Sequence, residues 1–344
     1  MRVKDQEERL MEVPSHWFPT QTWKLRIGTG GMNNTTRFVD VDDRTYVLRL
    51  YETHRDRNKI AFEHRVLLQL AAIREELAFE IPRPLERPNG ETVVTLGEEG
   101  GKLAALFTFT EGQNPIEVSS RHLTEMGQAV GQLSKCLAQI SVDIQPQYNP
   151  YYEIEHIHPS CTPEAIRAFC LQAPEPFTKQ QNKLKYIYSR YMALYDAIPA
   201  IRKLPHQLVH GDINGSNMLV NENGHIAAIL DFEFVTMDVR VMELAVCLSD
   251  LIDPAMDEKV LRARCTAFYQ GYQSYIQLGD DEIRVLPLLI ELRRLDVFIH
   301  FLGRYMDGVD PQGVLVDIIQ NTYEKTKWLD VHDTLLRFTT REMK

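Results

Sequence analysis

The sequence predicts an α+β fold of two lobes, in which a five-stranded antiparallel sheet with one main helix precedes a mainly helical C-terminal lobe. Short β-type segments separated by glycine and asparagine turns dominate residues 23–109, whereas amphipathic helical patterns dominate the rest. A length of 344 residues also exceeds what one hydrophobic core usually organises. A polar stretch with glycine and proline at residues 111–115 places the lobe boundary between an N-terminal lobe of residues 1–111 and a C-terminal lobe of residues 112–344.

The N-terminal lobe is predicted to contain five strands and one helix. The strands are expected at residues 23–27, 35–41, 44–51, 93–95 and 103–109, and the helix at residues 55–78. Glu63 lies three residues after Ile60 and four before Leu67, so it faces the apolar side of this helix. We expect Glu63 to pair with Arg49, which lies among apolar neighbours on its strand, because an unpaired buried carboxylate is costly. The alternative is a surface helix with Glu63 in solvent.

The C-terminal lobe combines three short strands with long helices. The strands are expected at residues 207–209, 218–220 and 226–230, and the helices at 121–140, 178–198, 237–251, 257–278, 281–306 and 311–328, with a short last helix to residue 341. An insert at about residues 146–200 begins with a segment rich in Pro, Tyr and His. His156 and His158 there are two residues apart, which matches no standard zinc pattern, so the insert is more simply interpreted as a specificity element.

Composition restricts the class of protein. A formal net charge of −10 favours neither nucleic acid nor an anionic membrane surface as a partner. The N-terminus is too charged for a signal peptide, and no apolar run reaches the ~20 residues of a membrane helix. The five scattered cysteines form no C-x-x-C pair and indicate a reducing, cytoplasmic location. The sequence leaves open whether the chain forms a homodimer.

A glycine-rich turn lies between the first two predicted strands, at residues 28–34. Without side chains at Gly30 and Gly31, backbone N–H groups can approach phosphate oxygens closely. The same turn can also be a simple tight hairpin. The expected pair of Arg49 and Glu63 favours phosphate binding, since a strand cation held by a helix carboxylate orients nucleotide phosphates in kinase-type sites.

Residues 208–233 carry the most informative motif, with polar side chains at the ends of short strands. Asp212 and Asn217 lie in the loop between two strands, and Asp231 ends the third. Phosphoryl transfer uses one carboxylate to orient and deprotonate the attacking hydroxyl, and an amide oxygen with a second carboxylate to hold metal ions. Alternatively, such residues only cap strands and turns. The combination with Arg49 and Glu63 favours an active site.

These residues resemble the aminoglycoside phosphotransferase and choline kinase family, which shares the two-lobed protein-kinase-like fold, and most closely its type II homoserine kinase branch. The resemblance covers about residues 20–300 and is most specific at residues 209–217 and 229–233. It implies that Asp212 is the catalytic base and that Asn217 and Asp231 are magnesium ligands. It also implies that a further set of residues binds the nucleotide: Gly30, Gly31, Asn34, Arg49, Glu63, Thr108, Phe109, Thr110 and Glu111.

Two departures from the family pattern concern Arg49, where many members have lysine, and Glu243, where they often have aspartate. Arg49 keeps the charge but presents a fork of donors, so it could bind phosphate or mainly serve Glu63. No catalytic role is assigned to Glu243.

The predicted function is therefore ATP- and Mg²⁺-dependent phosphorylation of a hydroxyl group on a small metabolite that resembles homoserine, an amino alcohol or an amino sugar. The alternatives are an ATP-binding regulator without turnover and a protein Ser/Thr kinase, although residues 231–237 leave little room for an activation segment. Acidic residues of the C-terminal lobe suit an amine-bearing acceptor, but acidic surfaces also simply favour solubility. These residues are Glu153, Glu155, Asp307 and Asp310.

Overall fold

The computed structural model of the chain describes residues 10–28, 34–51, 56–97, 101–115 and 120–332. Its N-terminal lobe holds a five-stranded antiparallel sheet in the order β1-β2-β3-β5-β4. The strands are β1 (Trp23–Ile27), β2 (Asn34–Val41), β3 (Arg44–Tyr51), β4 (Val94–Leu96) and β5 (Lys102–Thr108). Each lies within one residue of its predicted bounds, because turn residues such as Asp42, Asp43 and Gly97 separate the strands in the sequence.

The two faces of this sheet are covered by different parts of the chain. One face packs against α1 (Arg57–Ala72), whose apolar side buries Ile60, Val66 and Leu67 in the main core. The other face forms a smaller core that a segment at residues 10–17 covers. Trp17 closes this second core, and its indole N–H donates to the carbonyl of Leu85 at 2.9 Å.

The C-terminal lobe is mainly helical, as predicted. The helices are α2 (Ser120–Leu137), α3 (Pro163–Leu171), α4 (Gln181–Ile201), α5 (Val241–Leu251), α6 (Glu258–Gln273), α7 (Asp280–Met306) and α8 (Gln312–His332). Helices α2 and α6 cross closely at Gly127 and Gly271, where an added Cβ would lie 2.0 Å from a carbonyl oxygen of the opposite helix. No helix among the described residues has both the length and the apolar character needed to cross a bilayer.

Two small two-stranded sheets hold the loops of the central motif. In the first, β6 (His206–Val209) pairs with β9 (Thr236–Val239); in the second, β7 (Met218–Val220) pairs with β8 (Ile226–Ile229). The helix predicted from residue 237 was wrong at its start, because Thr236–Val239 completes the sheet with β6 and α5 begins only at Val241. A pairing with a strand about thirty residues earlier outweighs the local helical pattern.

Two backbone bridges fix the β7–β8 hairpin, one to the sheet lobe at Glu80 and one to the segment after β5 at Gln113. The amide of Glu80 donates to Ala227 at 2.8 Å, and its carbonyl accepts from Ile229 at 3.1 Å. Gln113 exchanges two backbone hydrogen bonds with Val220, at 3.0 and 2.8 Å. Both bridges end on the β7–β8 hairpin, so this hairpin and the loop before it are fixed relative to the sheet.

Candidate active site

The loop between β6 and β7 brings Asp212 and Asn217 together. The Asn217 side-chain amide donates to the backbone carbonyl of Asp212 at 2.8 Å and to its carboxylate at 3.2 Å. Gly211 takes a left-handed φ of 81°, which a glycine adopts without a steric penalty. The Asn114 side chain donates to the carbonyls of Ser216 and Met218, at 2.7 and 3.0 Å, and fixes the end of the loop.

His210 and Glu243 hold this loop in place through buried hydrogen bonds. The fully buried Glu243 carboxylate accepts the backbone N–H groups of His210 and Gly211, at 2.5 and 3.3 Å. Burial lowers the pKa of His210 to about 4, so its ring is neutral. Its Nε2 lies 2.9 Å from the Leu230 carbonyl, and its Nδ1 accepts the amide N–H of Asp212 at 3.2 Å. Sequence reasoning assigned Glu243 no role, yet it positions the loop that carries Asp212.

Asp231 lies two residues after the end of β8 in a left-handed conformation, with φ and ψ both 65°. This conformation is uncommon for a residue with a side chain. It lies beside Asn217, because the Leu230 amide donates to the Asn217 carbonyl at 2.8 Å. One Asp231 carboxylate oxygen, Oδ1, is buried and has no hydrogen-bond partner in the part of the chain that the structure describes. A buried carboxylate oxygen without a donor fits a cation, and an amide oxygen at Asn217 would complete a set of hard oxygen ligands.

Arg49 and Glu63 form the predicted pair. Arg49 Nη1 donates to Glu63 Oε1 at 2.9 Å, both side chains are largely buried, and the guanidinium lies over the Phe107 ring. Burial raises the pKa of Glu63, and the adjacent guanidinium opposes that shift. Arg49 Nη2 also lies 3.4 Å from Asp231 Oδ1. The alternative of a solvated Glu63 is therefore wrong, and Arg49 connects the sheet lobe to the motif around Asp231.

The nucleotide-binding residues predicted in the glycine turn are only partly described. Gly30 and Gly31 lie outside the described residues. Asn34, at the start of β2, donates from its amide to Glu233 Oε2 at 3.2 Å. The last residue of the turn therefore contacts Glu233, which follows Asp231 and Phe232 in the sequence.

The predicted adenine connector follows β5. The Thr108 hydroxyl accepts the amide N–H of Arg83 at 2.9 Å, and the Thr108 amide donates to the Arg83 carbonyl at the same distance. Phe109 is 41% exposed and packs edge-on against Phe38, with 5.5 Å between ring centroids. Thr110 and Glu111 complete the connector, and in the described structure no other backbone group bonds the main chain of residues 109–111. Main-chain N–H and C=O groups without another backbone partner are available to form hydrogen bonds with a nucleotide base.

The structure also brings to Asp212 two residues that sequence reasoning missed, Arg293 and Tyr151. Arg293 lies on α7 and donates to the Asp212 carboxylate at 2.5 Å, to Asp296 at 2.9 Å and to the Tyr151 hydroxyl at 3.0 Å. Tyr151 donates in turn to the Gly211 carbonyl at 2.6 Å. Burial raises the pKa of Asp212 to about 6, and the Arg293 charge opposes that shift. No local pattern marks Arg293, since it reaches the site from 81 residues along the chain.

The acidic residues expected to favour an amine do not contact Asp212. Asp310 forms a two-point ion pair with Arg304, at 2.6 and 2.8 Å. Asp307 accepts from the Ser160 hydroxyl, Glu153 lies 3.8 Å from Arg202, and Glu155 is exposed. The charged group that donates to the Asp212 carboxylate in the described structure is a cation, Arg293.

A two-lobed fold with a carboxylate, an amide and a second carboxylate at the cleft defines a phosphotransferase of the protein-kinase-like class. Comparison with known proteins agrees, because the model of the phosphotransferase enzyme family (APH) matches residues 24–278. The chain belongs to this family. The predicted resemblance, the predicted fold class and the prediction of a small-molecule kinase are confirmed.

Individual relatives are distant but cover nearly the whole chain. The homoserine kinase of Polaromonas naphthalenivorans (strain CJ2) is 25% identical over 289 residues, 83% of each chain. A microcompartment-associated aminopropanol kinase has a TM-score of 0.67 at 15% identity and covers 97% of this chain and 99% of its own. An amicoumacin kinase in complex with AMP-PNP, Ca²⁺ and Ami has a TM-score of 0.66 at 15% identity, with coverages of 94% and 97%. The two structures show the shared fold.

Proposed function

We propose that the protein transfers the γ-phosphoryl group of ATP to a hydroxyl group of a small acceptor, with Mg²⁺ as the metal ion. The observation that carries this proposal is the convergence of Asp212, Asn217 and Asp231 on one loop and hairpin. Asn217 and Oδ1 of Asp231, which accepts no hydrogen bond among the described residues, would hold the metal. When bound there, Mg²⁺ neutralises charge on the phosphates.

Asp212 is the proposed base. The acceptor oxygen forms a bond to the γ-phosphorus, the bond to the β-phosphate breaks, ADP leaves, and the hydroxyl proton moves to the Asp212 carboxylate. With a pKa of about 6, this carboxylate is mostly ionised at neutral pH and is still basic enough to accept a proton. General base catalysis of this kind typically contributes ~10²- to 10⁴-fold in rate.

Arg293 and Tyr151 are proposed as positioning residues for this base. Arg293 occupies one carboxylate oxygen of Asp212, and Asn217 donates to the other, so the carboxylate has a fixed orientation. Tyr151 ties the Arg293 guanidinium to the Gly211 carbonyl. A base with restrained rotation holds the acceptor hydroxyl in line with the phosphorus more of the time.

The nucleotide is proposed to lie between the sheet lobe and the β7–β8 hairpin. Arg49, held by Glu63 at 2.9 Å, would contact phosphate, and Gly30, Gly31 and Asn34 would cover it. The connector consists of Thr108, Phe109, Thr110 and Glu111, and it would bind the base through the main chain of its last three residues, since the Thr108 amide already donates to Arg83. The amicoumacin kinase with a similar fold is in complex with AMP-PNP, which supports a nucleotide as the proposed phosphoryl donor.

The acceptor is proposed to be a small metabolite such as homoserine or an amino alcohol, as the names of the homoserine and aminopropanol kinases suggest. A protein acceptor is disfavoured, because a one-turn helix (Phe232–Phe234) and β9 are all that separates Asp231 from α5. Five free, buried cysteines support a cytoplasmic location.

A screen of a metabolite library for Mg·ATP consumption tests the proposal, and the variant Asp212→Asn serves as the inactive control. Asp212→Asn is expected to lose at least ~10²-fold in transfer and to bind ATP as the wild type does. Asp231→Ala is expected to lose the Mg²⁺ dependence of ATP binding. Normal transfer by Asp212→Asn would remove this residue as the base, and ATP binding by the wild type without transfer to any metabolite would favour a regulator instead.

A further inference from the structure

Lys59 and Tyr148 form a contact between the sheet lobe and the helical lobe. Lys59 lies in the first turn of α1, and its Nζ is 3.9 Å from the centroid of the Tyr148 ring. This distance is well inside the ~6 Å that limits a cation–π contact. The Tyr148 ring in turn packs against Phe234, with 5.2 Å between the ring centroids. A cation of α1 is therefore held by an aromatic pair of the helical lobe.

The helix itself does not favour a lysine at position 59. The first turn of α1 contains no acidic residue, and a cation there opposes the helix dipole, which favours negative charge at an N-terminus. Burial also lowers the pKa of Lys59, while the carboxylates of Asp56 and Glu233 favour its charged form. The half-buried lysine therefore costs local stability, and its contact with the Tyr148 ring compensates part of that cost.

The backbone around Tyr148 is fixed to β9. The Thr236 hydroxyl donates to the Tyr148 carbonyl at 2.5 Å, and the Tyr151 amide donates to the Asp238 carboxylate at 2.7 Å. Thr236 and Asp238 are both buried, and β9 pairs with β6, which leads into the loop of the proposed base. Tyr148 is therefore a fixed point of the helical lobe, on the same short segment whose Tyr151 hydroxyl reaches the Gly211 carbonyl.

Lys59 and Glu63 are four residues apart, so they are neighbours on one face of α1. Glu63 holds Arg49 at 2.9 Å, and Arg49 also lies 3.4 Å from Asp231. A shift of α1 away from the helical lobe would therefore move Glu63 and change the direction of the Arg49 guanidinium. Protein kinases control the corresponding helix through an activation segment. In this chain the segment between Asp231 and β9 is too short for such an element.

We propose that Lys59 and Tyr148 are positioning residues, which hold α1 so that Glu63 keeps Arg49 directed at the nucleotide phosphates. This inference rests on the proposed function, since it concerns the residues proposed to bind ATP. It also assigns a role to the start of the insert at about residues 146–200, because the first tyrosine of the insert supports the nucleotide side of the site.

Binding of AMP-PNP in the presence of Mg²⁺, measured by calorimetry, tests the contact. Lys59→Met and Tyr148→Leu are expected to raise the Kd of AMP-PNP by ~2- to 30-fold, which is the range of one cation–π contact. Lys59→Arg and Tyr148→Phe keep a cation and a ring, so they should recover most of that binding. Arg57→Met in the same turn of α1 and Tyr195→Leu in the same insert remove exposed side chains and are the controls. An unchanged Kd in Lys59→Met, or an equal rise in Arg57→Met, would overturn the proposal.

A double-variant cycle distinguishes a positioning role from direct contact with the nucleotide. If Lys59 acts through Glu63, the effect of Lys59→Met on AMP-PNP binding is expected to vanish in the Glu63→Gln background, because both changes then interrupt the same link. An effect of Lys59→Met that persists in Glu63→Gln would show that Lys59 does not act through Glu63 and would overturn the proposal.

Hydrogen exchange of the free protein keeps this inference separate from the proposed function. Lys59→Met and Tyr148→Leu are expected to accelerate amide exchange along α1 but not along α6 of the helical lobe. Unchanged exchange along α1, or equal acceleration in α1 and α6, would show that the contact does not hold α1 specifically and would overturn the proposal. A wild type that binds AMP-PNP more tightly than both variants, yet transfers phosphate to no acceptor, would count against the proposed function alone.

Discussion

Replacement of Arg293 by methionine tests how the helical lobe controls the proposed base. Arg293→Met keeps most of the side-chain volume but removes the guanidinium that lies 2.5 Å from the Asp212 carboxylate. Burial already raises the pKa of Asp212 to about 6, and Arg293 opposes that shift. Without the cation the pKa is expected to rise further, because a neighbouring arginine typically lowers the pKa of a carboxyl by ~1 to 3 units.

The expected loss of activity in Arg293→Met follows from the ionised fraction of Asp212. With a pKa of about 6, roughly 90% of the carboxyl is ionised at pH 7. With a pKa of ~7 to 9, that fraction falls to between roughly 50% and 1%. At pH 7 the variant is therefore expected to lose roughly 2- to 90-fold in kcat/KM from ionisation alone. The loss should shrink as the pH rises above the new pKa, because Asp212 is then ionised in both proteins.

The assay is the pH dependence of kcat/KM for ATP-dependent transfer, with Arg284→Met on the same helix as the control. Circular dichroism at each pH checks that the variant is folded, since Asp296 also loses a partner. An acidic limb that moves to higher pH in Arg293→Met, but not in Arg284→Met, supports the coupling. A loss of the same size at every pH would refute it.

Two further variants test the buried carboxylates that hold the site together. Glu63→Ala leaves the Arg49 guanidinium largely buried, with only the more distant Asp231 as a partner. The free energy of unfolding measured with urea should therefore fall by ~3 to 5 kcal/mol. An unchanged urea midpoint would show that the pair contributes nothing to stability. Glu243→Ala removes the acceptor of two buried N–H groups, at His210 and Gly211, each costing ~1 to 3 kcal/mol. Hydrogen exchange at these amides should accelerate in Glu243→Ala, and unaltered protection would contradict its role in positioning the loop.

The sheet and the pair of Arg49 and Glu63 could be predicted from the sequence, because local patterns determine both. Turn residues between the strands fix the strand bounds to within a residue. The position of Glu63 on the apolar side of α1 requires a buried partner. The spacing of Asp212, Asn217 and Asp231 is likewise local, since one loop and one hairpin carry all three. The catalytic and metal-binding roles of these three residues stay predictions.

The contacts that support the site could not be predicted in the same way. Arg293, Tyr151 and Glu243 reach the loop from separate parts of the chain, and nothing in the pattern of a long amphipathic helix marks which polar residue faces a site. β9 was missed for a related reason, because a four-residue strand takes its identity from its partner β6 and not from its own residues. Contacts between residues far apart in the sequence therefore determine both the supporting contacts of the site and the position of β9.

The backbone bridge at Glu80 also restricts how the two lobes can separate. Glu80 holds β8 through two hydrogen bonds, one to Ala227 and one to Ile229. Ile229 lies two residues before Asp231, so a separation of the lobes that keeps this bridge intact also keeps the end of β8 beside the sheet lobe. The contact of 3.4 Å between Arg49 and Asp231 is longer than either of these hydrogen bonds, so it can lengthen while the bridge at Glu80 is kept.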